Sequence, residues 1–171
     1  PVNPKPPQKS SKAAMKIQGP RRRRPCAVVK AINLTAMKAR ASTLDGKRTK
    51  DLLLNADADG AKVLTYLEKA DAVQAAYAAT RATIAARGAL LATPDEPIVK
   101  GAVKITEGLE LIVQAYRTAA TGKYDDVIAK CKKAWELGAA AEEFSPTLAP
   151  QAEQIKLIST SLADQARKLK K

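Results

Sequence analysis

Gly122-Lys123-Tyr124-Asp125-Asp126-Val127-Ile128-Ala129-Lys130-Cys131-Lys132-Lys133-Ala134-Trp135-Glu136-Leu137 is the stretch whose reading decides the fold. Val127, Ile128, Cys131, Ala134 and Trp135 recur at the spacing of one face of an α-helix. Asp125 and Asp126 fall in its first turn, where the helix dipole favours anions. Lys130, Lys132 and Lys133 come later, where it favours cations. Gly122 ends a preceding helix, and Gly138 is a point at which this one loosens or ends. The stretch therefore reads as the second helix of a helical hairpin.

Upstream, Pro97 to about Thr121 supplies the first helix of that hairpin, with Ala102, Ile105, Leu109, Ile112, Val113 and Tyr116 as its apolar stripe. Before it, Thr93-Pro94-Asp95-Glu96-Pro97 is a stop and restart. Residues 61–91 read as one long Ala-rich helix with Val63, Leu67, Ala70, Val73, Tyr77 and Ile84 inward. Asp45-Gly46 reads as a break, and Asp57 or Asp59 as the N-cap of the long helix. Asn55-Ala56-Asp57-Ala58-Asp59-Gly60 resembles the opening of a calcium loop, but its twelfth position is Tyr66 instead of a bidentate Glu, so no metal is expected there. Downstream, Ser145-Pro146 and Pro150 punctuate the chain, with Ser145 a candidate cap. A last helix follows over 151–170, with Ile155, Ile158, Leu162, Ala166 and Leu169 inward. No segment alternates as a strand. The expected fold class is all-α: an antiparallel helical bundle or hairpin stack of four main helices, at about 61–91, 97–121, 124–141 and 151–170, within a body covering 45–171.

Gly122-x-Tyr124-x-x-x-Ile128 followed by Ala134-x-x-Leu137 resembles the second half of a tetratricopeptide repeat, and Leu111, Ala115 and Thr118 fit the first half. The resemblance covers about residues 108–138. It departs from the family at Val127, where the family prefers Ala, and no Pro closes the unit near Ala139. No second copy follows at the spacing of about 34 residues that such arrays use. The resemblance implies a helical hairpin built for protein contacts. A peptide or partner helix would then lie against Tyr116, Tyr124 or Trp135, three aromatics that serve equally as core anchors.

Charge divides the chain. Residues 1–44 contain no Asp or Glu but hold eleven of the basic side chains, so that of the net charge of +13 only +2 is left for Asp45 onward. Pro1, Pro4, Pro6, Pro7, Pro20 and Pro25 forbid regular helix at the start and favour extended backbone. A short helix at about 26–42 follows, with Val28, Val29, Ile32, Ala36 and Ala39 on its apolar side. Lys5, Lys9, Lys12, Lys16, Arg21, Arg22, Arg23, Arg24 and Lys30 are the candidate nucleic-acid-binding residues. The Arg guanidinium matches phosphate oxygens, and each neutralised phosphate releases counterions. The arm has no aromatic residue, so contact is expected with the backbone and not with stacked bases.

Catalytic chemistry is poorly represented. The chain has no histidine, no Gly-rich phosphate loop, and two cysteines, Cys26 and Cys131, without metal or redox spacing. No catalytic residue, cofactor or metal ligand is assigned. Free thiols fit a reducing compartment, with mitochondrion, plastid and virion all open. No apolar run reaches membrane-spanning length.

The expectation is a non-enzymatic structural subunit of a large nucleoprotein assembly, a ribosome-like particle or helical nucleocapsid. Its arm would touch nucleic-acid phosphates, RNA ahead of DNA, and its body protein neighbours. The alternative is an accessory helical subunit of an organellar protein complex, its acid-free, Arg-containing arm a targeting segment or tether.

Overall fold

Leu44 opens the first of five helices in the computed structural model, which describes residues 44–170. The helices are α1 (Leu44–Glu68), α2 (Ala72–Ala92), α3 (Pro97–Ala119), α4 (Tyr124–Phe144) and α5 (Ala149–Leu169), with a 3-10 turn at Pro146–Leu148 before the last. No strand occurs among the described residues. The arm and the helix expected at about 26–42 lie outside the described residues.

Each helix packs on the next across a short turn, and α3 also packs on both α1 and α5. Short turns make successive helices antiparallel. The result is a hairpin stack with α1, α3 and α5 on one side and α2 and α4 on the other. The expected all-α hairpin stack is what forms, with five helices in the described body instead of four.

The fifth helix comes from a correction. Residues 61–91 are not one helix: the chain breaks at Lys69-Ala70-Asp71. Ala70 has φ of 58°, in the left-handed region. The Asp71 amide donates to Tyr66 O at 2.9 Å and the Ala70 amide to Leu67 O at 3.0 Å. These two bonds make a Schellman motif with alanine where glycine usually stands. Asp71 then caps α2, its Oδ1 accepting from the Gln74 amide at 3.0 Å. Asp57 and Asp59 are not caps; both sit inside α1, and Asp45-Gly46 lies in its first turns without ending it. The second hairpin turns through Gly122, whose φ of 75° suits a residue without a Cβ.

One apolar cluster ties all five helices together through Val63, Ala75, Ala78, Leu109, Ile112, Ala134 and Ile155. A second, around Val127, Cys131 and Leu162, closes one end; a third, around Leu53, Val99 and Leu148, closes the other. Burying side chains such as Leu53, Ile112, Leu148 and Ile155 contributes roughly 1.5–3 kcal/mol each. The α3–α4–α5 contact is close. A Cβ on Gly101 would lie 2.5 Å from Leu148 Cδ1 and 3.0 Å from Ala141 O. Gly138, expected to loosen or end its helix, is instead buried within α4, where a Cβ would stand 3.1 Å from Ala152 O.

The inward face of α2 also differs from expectation. Its buried side chains are Ala75, Ala78, Ala79, Ala82, Thr83, Ala86 and Ala89. Val73, Tyr77 and Ile84 point outward at 60%, 64% and 65% exposure. α2 lies close against both α1 and α3, and alanine admits that approach where a larger side chain would hold the helices apart.

Candidate functional site

α1 and α5 flank α3 without packing on each other. The space between them is a narrow apolar groove, with room for about 40 Å³, that opens to solvent. Ala102, Ile105 and Leu109 of α3 form its floor; Leu64 of α1 and Ile155 and Ile158 of α5 form its walls. The groove exists because parallel helices two apart in sequence share one neighbour and leave a valley above it.

Few polar groups enter this groove, and their states differ. Thr106 is satisfied internally, its hydroxyl donating to Val103 O at 3.0 Å. Gln151 Oε1 is buried without a hydrogen-bond partner among the described residues. Such an orphan costs about 1–3 kcal/mol. Asp57 is half-buried on the α1 wall and makes no ion pair among the described residues. Burial pushes its carboxyl pKa above the ordinary carboxylate value, because desolvation disfavours the anion. Its neighbour Asp59 is served by Lys62 at 2.7 Å and by Arg81 of α2 at 3.2 Å.

A second surface lies on the outside of α2. Val73, Tyr77, Ile84 and Leu91 are all more than half exposed, Leu91 at 87%. Tyr77, Ile84 and Leu91 repeat at heptad spacing, the spacing by which one helix presents a seam to another. Arg81 and Arg87 stand nearby, and each is paired to a neighbouring helix, Arg81 to Asp59 and Arg87 to Glu107 at 2.9 Å.

The residues singled out from the sequence fare unequally. Lys5, Lys9, Lys12, Lys16, Arg21, Arg22, Arg23, Arg24 and Lys30 lie outside the described residues. Tyr124 is half-buried against the Val127 and Cys131 cluster, as a core anchor is. Tyr116 is half-buried on α3. Trp135, expected on the apolar stripe of α4, is 45% exposed at its edge. It lies about 16 Å along α4 from Tyr124 by helical rise, so the three aromatics do not gather into one groove. The sequence pattern marks the α2 stripe but assigns it inward, and it does not mark the groove. Small residues at Ala56, Gly60 and Ala102 are the available signal for the groove; a Cβ on Gly60 would stand 3.3 Å from Leu109 Cδ1, marking the close approach of α1 to α3.

Cys131 is buried, and desolvation pushes its thiol up to about 11 against a smaller opposing effect of the Arg167 charge. It is packed as a small hydrophobe. Among the described residues no group of three or more His, Cys, Asp or Glu side chains is placed to hold a metal ion. No described helix is long and apolar enough to cross a membrane. Comparison with protein-family models, with curated proteins and with solved structures found no match to this chain.

Proposed function

We propose that this chain is a structural, non-enzymatic subunit of a large nucleoprotein assembly, its basic arm lying on nucleic-acid phosphates and its helical body seated among protein neighbours. The observation that carries the reading is the confinement of charge: eleven basic side chains and no acidic one before Asp45, against +2 for the rest. Arg21-Arg22-Arg23-Arg24 is the densest part of that field. Arginine forks bind phosphate oxygens without reading bases. RNA is favoured over DNA, in a ribosome-like particle or helical nucleocapsid.

The body supports the protein half of the proposal through α2. An exposed heptad seam of Tyr77, Ile84 and Leu91, extended by Val73, is a larger apolar display than scattered single residues make. The occupant proposed for it is an apolar helix of a neighbouring subunit.

Sedimentation of the native protein tests this reading. The protein is expected to travel with a large particle and to leave it after nuclease digestion or at high salt. N-terminal sequencing of the same material is expected to find Arg21–Arg24 retained. A mature chain beginning near Ala31 or later, in a nuclease-resistant complex, would overturn the proposal in favour of a targeting arm on an organellar protein subunit.

A further inference from the structure

The outer face of α2 is a stripe in which large residues are interrupted by small ones. Val73, Tyr77, Thr80, Ile84, Gly88 and Leu91 fall on one side of the helix, over about 27 Å of its length. The four large side chains are each at least 60% exposed. The stripe carries no unbalanced charge. α2 has no acidic residue, and its two basic side chains, Arg81 and Arg87, are held by Asp59 and Glu107 of the neighbouring helices. An occupant must therefore bring an uncharged apolar face of similar length, and it needs no counter-charge. The other large exposed apolar side chains among the described residues, Trp135, Phe144, Leu157 and Leu169, do not repeat at heptad spacing. The described surface of this chain that meets the requirement is α2 itself.

We propose that α2 pairs antiparallel with α2 of a second copy of this chain, about a twofold axis level with Ala82. Size supports the self-match. Turning the stripe end for end about that point lays Ile84 over Thr80 of the second copy, Tyr77 over Gly88, and Val73 beside Leu91. Each large side chain in the middle of the seam meets a smaller residue, and the match is reciprocal, as an isologous interface requires. A parallel pairing would set Tyr77 on Tyr77 and leave a gap where Gly88 faces Gly88. Charge supports it too. Arg81 and Arg87 flank the seam already neutralised by acids of their own copy, so two copies meet without opposed net charge. The area is sufficient. Four side chains at these exposures leave on the order of 500 Å² of apolar surface per copy, or about 1,000 Å² for two, the lower bound of a specific interface. Gln74, Thr80 and the stems of Arg81 and Arg87, all exposed, extend it. An interface of that size belongs with reversible associations.

The inference rests on the reading of α2 as a docking face given above, and names its occupant as a second copy instead of a different subunit. It needs neither the arm nor nucleic acid.

Sedimentation equilibrium of the full chain tests it, after nuclease treatment and at high salt so that nucleic acid does not bridge copies. A reversible monomer–dimer equilibrium in the micromolar range is expected. Ile84→Glu and Leu91→Glu alter exposed positions. Each is expected to weaken the dimer about tenfold or more while the helical circular dichroism stays unchanged. Cross-linking reads the register. Val73→Cys and Leu91→Cys are prepared separately with Cys26→Ser, Cys131 being buried, then mixed and treated with a short bis-maleimide. A link between copies is expected in the mixture. Neither variant alone is expected to link, because an antiparallel seam holds the two copies of either residue about 27 Å apart. Three results would each overturn the proposal: a monomer at up to about 100 µM, a dimer that neither glutamate weakens, or a link in Val73→Cys alone. A monomeric wild type that Ile84→Glu nonetheless releases from a sedimenting particle would overturn the self-pairing and leave docking on a different subunit standing. A dimer that enters no particle would uphold the pairing and overturn the nucleoprotein reading.

Discussion

The two hairpins of this body share an architecture and differ in almost every local choice. The α3–α4 hairpin turns through a glycine, packs glycine against backbone at Gly101 and Gly138, and shows solvent a charged outer face including Lys132, Lys133 and Glu136. The α1–α2 hairpin turns through an alanine, packs a row of alanines inward, and shows solvent Val73, Tyr77, Ile84 and Leu91. The difference teaches on which face a neighbour would gain most. α4 is closer to finished on its outer side: charge there is solvated at little cost, and its large exposed apolar side chains, Trp135 at 45% and Phe144 at 41%, do not repeat at heptad spacing. α2 is unfinished, because an apolar seam at helix-pairing spacing gains only when another helix covers it.

Four sets of substitutions sharpen or break that contrast. The largest effect is expected at the glycines. Gly101→Val would drive side-chain atoms into Leu148 and the Ala141 carbonyl, and is expected to lower stability by about 1–3 kcal/mol through overpacking, read by urea denaturation. Gly88→Ala on α2 meets only Leu52 at 3.4 Å, and is expected to be neutral or to gain up to about 1 kcal/mol from helix propensity. Equal losses at both sites would erase the distinction between the hairpins' packing.

The turns come next. Ala70→Gly relieves a left-handed alanine and Gly122→Ala creates one. Opposite shifts are expected in thermal denaturation, upward for the first and downward for the second, each on the order of 1 kcal/mol or less after the entropy of glycine in the unfolded chain is counted. Shifts of the same sign would contradict the two turn geometries.

A smaller, pH-confined effect is expected at Cys131 in the second hairpin. Its thiol is held up to about 11, above the ordinary value of 9.0. Between those values the unfolded chain releases the proton first, so stability falls as pH rises through that window. Cys131→Ala is expected to flatten this part of the pH profile while lowering stability throughout by leaving a small cavity. A profile of unchanged slope would place the thiol in contact with solvent.

The smallest effect on stability is expected on the outer faces. Ile84→Glu on α2 and Lys133→Glu on α4 are both expected to stay within about 0.5 kcal/mol of wild type. Only Ile84→Glu is expected to release the protein from the proposed assembly in sedimentation. Release by both, or by neither, would break the contrast between a finished and an unfinished face.

Much of the second hairpin is legible in its residues alone. Pro97 at the first position of α3, Gly122 at the turn and Asp125-Asp126 in the first turn of α4 are signals whose usual meaning holds here. The first hairpin is harder to read. Ala70 adopts the conformation for which glycine is the marker, so the break between α1 and α2 leaves no trace except Asp71. Gly46 reads as a breaker and Gly60 as part of a calcium-loop-like stretch ahead of a helix, yet both are helical; a Cβ on Gly60 would stand 3.3 Å from Leu109 Cδ1, where α1 approaches α3 closely. Turn chemistry and close packing both call for glycine, and one sequence does not separate them. On α2, periodicity locates two stripes but not which of them is buried. Hydrophobicity favours Val73, Tyr77 and Ile84; the narrow space between α1 and α3 admits only the alanines. The groove escapes the sequence for a related reason: it depends on how far α1 stands from α5, a distance no local pattern encodes. Trp135 misleads similarly, its size suggesting a core that its position at the edge of the α4 stripe does not reach.

The central claim is that the acid-free arm is a phosphate-binding element on a helical body. It is tested most directly by RNA binding of the full chain and of its Arg21–Arg24→Ala variant across a salt series. The account predicts a steep fall of log affinity with log salt for the full chain, and a slope shallower by about 3 in the variant, as four fewer phosphates are neutralised. Equal slopes in the two proteins, or no binding by either at low salt, would contradict it.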